Sequence, residues 1–322
     1  MPLDPDAAAL LSMMAEAGMP PMETMEPQEV RAGAAAAAAL APEPDVRVAS
    51  VLERTLGGVP SLVVTPEGAG PFHVLIWFHG GGWVIGSAAE WLPTAKELAA
   101  GAGTVVVVPD YRLAPEHPFP AAFDDALEVT RAVLEHATEL GGPGAKVAVG
   151  GDSAGGNLAA LAALHIEGLA HQILAYPVTD ATMAQPSYAT MASDYLLTAS
   201  MMEWFINLYA GDHDPADPRI SPLHAPEEAF RRACPAHVVL AAYDPLHDEG
   251  EAYARRLRDA GVAVTTSRYD GQMHGFFTMG AVVPTGMAAL HEAIGHLRHA
   301  LGSPPAAGPA HATGGDAEPG DA

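Results

Sequence analysis

The sequence predicts an α/β protein with a mostly parallel central sheet flanked by helices, and two observations carry this. Six short apolar runs, PFHVLIWF (71–78), TVVVVP (104–109), KVAVG (146–150), QILAYPV (172–178), HVVLAAY (237–243) and AVTTSRY (263–269), mostly lack polar alternation. Strands covered on both faces read this way. Helical segments lie between them, at 90–100, 121–140, 154–167, 248–260 and 284–301. Strand and helix therefore alternate, the signature of parallel strands joined by helical crossovers.

Three stretches stand outside that alternation. Residues 1–45 are alanine-rich and helical in character, broken by Pro20, Pro21, Pro27, Pro42 and Pro44. Residues 180–230 carry helical pieces such as 199–210 and no clear strand, too long for a structureless loop in a compact domain. Both are expected to cover one edge of the sheet as a helical cap. The expected division is a cap segment at 1–45, core at 46–179, a cap insertion at 180–230, core at 231–302 and a disordered tail at 303–322. The tail is Pro, Gly, Ala and Asp without apolar periodicity.

The 322 residues carry 39 acids against 15 bases, a formal charge of −24. The only lysines are Lys96 and Lys146. Such a chain repels phosphate backbones, which argues against nucleic acid as a partner. Half of the residues are hydrophobic, at 49%, with a mean hydropathy of +0.13, but many are alanines. The opening MPLDPDAAALLSMM places acids where a signal peptide needs positive charge, and the run 34–39 is too short to span a bilayer. One cysteine, Cys234, excludes an internal disulfide and fits a reducing compartment. It stands before Pro235 at the entrance to an apolar strand, as a buried inert thiol would. The expectation is a cytoplasmic protein with no membrane contact; a homodimer is compatible with the sequence.

The chemistry is concentrated around Gly151-Asp152-Ser153-Ala154-Gly155, a G-x-S-x-G motif between an expected strand and an expected helix. This is the context of a nucleophile elbow, in which a strained turn projects the serine hydroxyl above the sheet. Glycines at 151 and 155 remove side chains that would collide across the turn. A nucleophilic serine also needs a base and an oxyanion hole. His79-Gly80-Gly81-Gly82-Trp83 follows an early strand and can turn backbone N–H groups toward a carbonyl oxygen, with the Ala154 N–H beside them. His79 itself is expected to hold that loop in shape.

Fifteen histidines compete for the base. Chain order in this architecture runs Ser, then Asp or Glu, then His, each after a strand, and His274 in GQMHGF fits. His237 lies inside a strand pattern; His291, His296 and His299 lie on the last helix. HEAIGH there resembles a zinc motif, but its histidines are five residues apart and do not share a helix face. For the acid, Asp244 directly follows HVVLAAY, whereas Asp248 and Glu249 come a turn later and suit the start of the next helix. Asp244 is the preferred acid.

Taken together, HGGGW (79–83), PDYRLAPEHPFPAAFDD (109–125), GDSAGGN (151–157), DPRISPL (217–223), DPLHDEG (244–250) and MHGF around His274 resemble one family. It is the bacterial hormone-sensitive-lipase-like carboxylesterases (family IV) of the α/β-hydrolase fold, with GDSAG matching the subgroup that has aspartate before the nucleophile. The resemblance spans residues 72–280. It implies Ser153, Asp244 and His274 as a catalytic triad, and the N–H groups of Gly81, Gly82 and Ala154 as oxyanion donors. It further implies a helical cap, short- to medium-chain acyl esters as small-molecule substrates, and no metal or organic cofactor. Trp83, Asp152, Leu196, Met202 and Phe205 are expected around the substrate pocket, although packing of the cap helices on themselves accounts for the last three equally well. An amidase or arylformamidase with the same triad is the alternative within hydrolases. A non-catalytic receptor of the same fold is the alternative outside them, and His274 in a matching motif speaks against it.

Overall fold

The computed structural model describes residues 2–18, 20–40 and 45–302. Two helices come first, α1 (Pro5–Ala17) and α2 (Pro27–Leu40), followed by the strand pair β1 (Val48–Leu56) and β2 (Val59–Pro66). The alternating part begins with β3 (His73–Phe78), α3 (Leu92–Ala102), β4 (Thr104–Pro109), α4 (Ala121–Glu135), α5 (Ala137–Leu140), β5 (Val147–Asp152), α6 (Ala154–His165) and β6 (Leu169–Ala175). Short helices α7 (Ser187–Thr190), α8 (Ala199–Ala210) and α9 (Glu227–Arg232) follow. The chain then closes with β7 (Ala236–Tyr243), α10 (His247–Asp259), β8 (Val264–Met273) and α11 (Pro284–Leu301).

The eight strands form one sheet in the order β1-β2-β4-β3-β5-β6-β7-β8. From β4 through β8 every pairing is parallel; β1 and β2 join the β4 side antiparallel. The inner strands are buried along almost their whole length, since helices cover both faces: α4, α6 and α10 on one, α3 and α11 on the other. The segment Ala154–Leu164 of α6 is buried all round and correspondingly built from Ala, Gly and Leu, apart from Asn157, whose amide donates to the carbonyls of Val178 and Ile220.

Four local departures from the sequence expectation have simple causes. The β1–β2 pair replaces an unassigned stretch, because β1 exposes Leu52 to Thr55 at the sheet edge and offers no continuous apolar run. The expected helix over 121–140 is two helices, interrupted where His136 leaves helical angles at φ −96°, ψ 13°. The restart lets the Gly141 carbonyl accept the Phe72 N–H at 2.6 Å. The strand expected at 172–178 lies three residues earlier: Tyr176 has φ +35° and Pro177 has no N–H to give the ladder. Both β5 and β8 run further than expected, ending at Asp152 and Met273, so Ser153 and His274 each stand one residue past a strand's carboxyl end. The expected tail, 303–322, lies outside the described residues.

The N-terminal helices are tied to loops at the carboxyl ends of the strands. Arg31 of α2 donates from Nε to the Val84 carbonyl and from Nη2 to the Ala114 carbonyl, both at 2.7 Å, and pairs with Glu116. Glu23 accepts the Ser200 hydroxyl of α8 at 2.6 Å, and the Asp4 N–H donates to Gly271 of β8 at 2.8 Å.

Candidate active site

Ser153 sits between β5 and α6 at φ +56°, ψ −120°, a left-handed conformation that a non-glycine residue adopts only when its surroundings enforce it. Three backbone bonds enforce it here. The Ser153 N–H donates to Ala175 at 2.9 Å, and its carbonyl accepts from Asn157 at 3.0 Å and Val178 at 3.2 Å. The flanking glycines are sterically required. A Cβ on Gly155 would stand 2.0 Å from the Phe78 carbonyl oxygen, and one on Gly151 would stand 2.4 Å from Gly155 backbone atoms.

The strand ends bring two further groups to this hydroxyl. His274 Nε2 lies 2.9 Å from Ser153 Oγ, and His274 Nδ1 lies 2.7 Å from Asp244 Oδ2. Asp244 is fully buried and accepts the Leu246 N–H at 2.9 Å on its other oxygen. An ionised carboxylate accepts only, so Nδ1 carries the proton and Nε2 presents its lone pair to the serine. Ser153 and His274 are 9% and 8% exposed, so the hydroxyl and the ring are largely buried. The Tyr176 ring packs on the imidazole at 4.5 Å. Asp248 and Glu249 open α10 as expected. Buried Glu249 accepts the N–H groups of Thr179 and Asp180 at 2.6 and 3.2 Å, and burial raises its pKa well above the usual carboxylate range. The Ser187 N–H donates to Asp248 Oδ2 at 2.9 Å and its hydroxyl to Pro245 at 2.5 Å, fastening α7 to the loop that carries Asp244.

The 79–86 loop lies against the elbow, since a Cβ on Gly155 would stand 2.4 Å from the His79 carbonyl oxygen. Its backbone N–H groups at Gly81 and Gly82 donate to no other group among the described residues. Tyr111 holds the loop's base, its hydroxyl donating to the His79 carbonyl at 2.8 Å and its ring stacked on His79 at 4.3 Å. His79 is buried, its Nδ1 is 2.8 Å from the Gly80 carbonyl, and burial depresses its pKa to about 4.

The residues expected around the pocket divide. Leu196 approaches Gly275 beside His274, and the Phe205 ring lies against Gly82. Trp83 is buried and stacked on Tyr209 at 4.3 Å, and Met202 is buried in the apolar core. Asp152 is buried behind the elbow, where its Oδ1 accepts the indole N–H groups of Trp91 at 2.8 Å and Trp77 at 3.1 Å. Burial raises its pKa to about 6, against the opposing effect of those bonds. Cys234 is buried and its thiol is pushed up to about 12 by desolvation, matching an inert role. Sequence reasoning missed Arg31, whose signal was a lone arginine in an otherwise acidic and apolar N-terminal segment.

Comparison with known proteins bears on the fold and the class of reaction. A family model described as alpha/beta hydrolase fold matches residues 75–278. An ethyl acetate hydrolase of Pseudomonas putida is 38% identical over 303 residues, covering 88% of this chain and 94% of the relative. The carboxylic ester hydrolase LipN of Mycobacterium tuberculosis is 40% identical over 75% of this chain and 67% of its own length. Among solved structures, a thermostable esterase from Pseudomonas putida superposes with a TM-score of 0.88 at 35% identity, covering 93% of this chain and 98% of that one. A hyperthermophilic esterase from the archaeon Pyrobaculum calidifontis gives 0.86 at 33% identity, over 93% and 99%. The chain belongs to the α/β-hydrolase family, in its hormone-sensitive-lipase-like branch. No helix among the described residues is long and apolar enough to cross a membrane.

Proposed function

We propose that this chain, a carboxylic ester hydrolase, cleaves short- to medium-chain acyl esters through Ser153, His274 and Asp244 and an acyl-enzyme intermediate. The observation that carries the reading is the continuous hydrogen-bond line from Ser153 Oγ through both ring nitrogens of His274 to Asp244. His274 Nε2 takes the hydroxyl proton as Oγ attacks the ester carbonyl carbon. Charge moves to the carbonyl oxygen, where the N–H groups of Gly81, Gly82 and Ala154 stabilise it, aided by the N-terminal end of the α6 dipole. The imidazolium then gives its proton to the departing alkoxide, and the alcohol leaves. Water repeats the sequence on the acyl-enzyme and releases the acid. Asp244 holds the Nδ1–H tautomer and stabilises the transient imidazolium without taking the proton.

In this reading α1, α2 and residues 180–230 act as the cap over the site, and the core comprises 46–179 and 231–302. Close approach of Phe205 to Gly82 and of Leu196 to Gly275 narrows the space above the serine, which favours small acyl groups. The relative named ethyl acetate hydrolase supports the same preference. The substrate is a small-molecule ester; a reducing cytoplasm suits the single buried thiol, and a homodimer is compatible with the reading.

The test is Ser153→Ala assayed on a chain-length series of p-nitrophenyl esters. Activity should fall by about 10³–10⁶-fold, and fluorophosphonate labelling should vanish with it. Near-normal hydrolysis by the folded variant would overturn the assignment.

A further inference from the structure

On the sheet face covered by α11, the structure assembles a second group of chemically capable side chains. Ile173 of β6 is in register with His237 of β7, so His171, two residues earlier, points to the same face as His237. Ser267 and Tyr269 of β8 face the same way, in register with Val239 and Ala241. Opposite them α11 presents Glu292 and His296, four residues apart and hence on one helix face. We infer that His237, Glu292 and His296 form a binding site for a divalent metal ion, with zinc as the fitting ion.

Ligand atoms of the three residues all lie within 4.8 Å of one another. Around zinc, bonds of about 2.0–2.1 Å would close them to roughly 3.3 Å, a modest contraction. The proton arrangement prepares the ring. Ser267 Oγ donates to Glu292 Oε1 at 2.7 Å, so its lone pair accepts the His237 Nε2–H at 3.0 Å. That leaves His237 Nδ1 with a lone pair, buried and without any hydrogen-bond partner. A ligating imidazole ordinarily has its second nitrogen held in this way. Tyr269 donates its hydroxyl to Glu292 Oε2 at 2.5 Å, so the carboxylate is oriented from both oxygens while each keeps a lone pair free.

Two further facts point to a ligand. His171, on the same sheet face, is 6% exposed, yet both its ring nitrogens are buried without partners, an expensive condition that water entering with the ion would ease. His296 stacks on His237 at 4.0 Å from the half-buried side, so it can turn to ligate, and with exposed Glu292 it leaves an entry route. Two imidazoles and one carboxylate suit zinc, whereas magnesium and calcium require mostly oxygen. The HEAIGH histidines, five apart, still cannot pair; Glu292 and His296 in the same motif have the spacing that works. His237 precedes Asp244 by seven residues of β7, placing the ion roughly 20 Å from the catalytic carboxylate. Its effect is to clamp α11 to β7 and β8.

The full chain, stripped with chelator, is titrated with zinc chloride by calorimetry and melted with and without zinc. One zinc per chain and a rise in Tm are expected. Glu292→Gln and His296→Ala should each weaken binding at least tenfold and remove the rise, while His291→Ala behaves as wild type. Both ligand variants retain wild-type ester hydrolysis, which certifies their fold. Absence of a zinc-dependent Tm rise in the wild type, or equal affinity in His296→Ala, overturns the site; neither result touches the esterase reading.

Discussion

Arg31 and Glu116 meet at 2.7 Å, joining the second helix of the chain to a loop more than eighty residues away. The same guanidinium holds the carbonyls of Val84 and Ala114. Arg31→Ala leaves both carbonyls without this donor and should lower stability by about 1–2 kcal/mol. Because Val84 directly follows HGGGW, KM should rise more than kcat falls. The pair also has a pH signature. The Arg31 guanidinium lowers the Glu116 pKa from 4.5 to about 2, so the pair's stabilisation is present above 4.5 and lost as pH falls from there toward 2. Glu116→Gln should flatten the acid limb of a Tm–pH curve in that window, and an unchanged limb would contradict the coupling.

Gly82 has φ +58°, and a Cβ there would stand 2.2 Å from the Phe205 ring. Gly82→Ala should displace the loop and cut kcat by about 10²-fold, the scale of one lost oxyanion donor. Phe205→Ala added to it should recover part of that loss. A double variant no better than the single one would show that backbone strain at position 82 is the whole effect.

Asp152 gives the opposite pH behaviour from Glu116. Its pKa is raised from 3.8 to about 6, so the folded state favours the protonated form, and stability declines as pH rises through about 6. Asn at this position keeps an acceptor for Trp77 and Trp91 without the buried charge. Asp152→Asn should therefore raise stability by roughly 2–3 kcal/mol at about pH 8. The advantage should shrink below about pH 6 and vanish near 3.8. Denaturant midpoints across that range measure it directly.

The inner sheet and the three converging residues were legible in the sequence for one reason. Strands buried on both faces are written as apolar, Val-rich runs, and the three residues follow such runs within a few positions. Ser153, Asp244 and His274 each stand one residue past a strand's carboxyl end. The pair β1–β2 lacked that signature because its outer strand faces solvent. Arg31 was invisible because its partners, two carbonyls and Glu116, are distant in sequence and carry no pattern of their own. Asp152 and Trp83 carried the right types for a pocket, and only their side-chain directions, toward Trp91 and Tyr209, show what each is packed against. The α11 cluster was hidden in part by counting histidines alone, since the productive spacing there is from a glutamate to a histidine.

The anchoring of Ser187 to Pro245 and Asp248 has a consequence for anyone reshaping this enzyme. The first turn of α7 shares its footing with the loop that carries Asp244, so a change that loosens that footing also reaches the carboxylate bonded to His274. Substitutions on α8, around Phe205 and Trp204, leave those two bonds untouched, whereas substitutions where α7 begins do not.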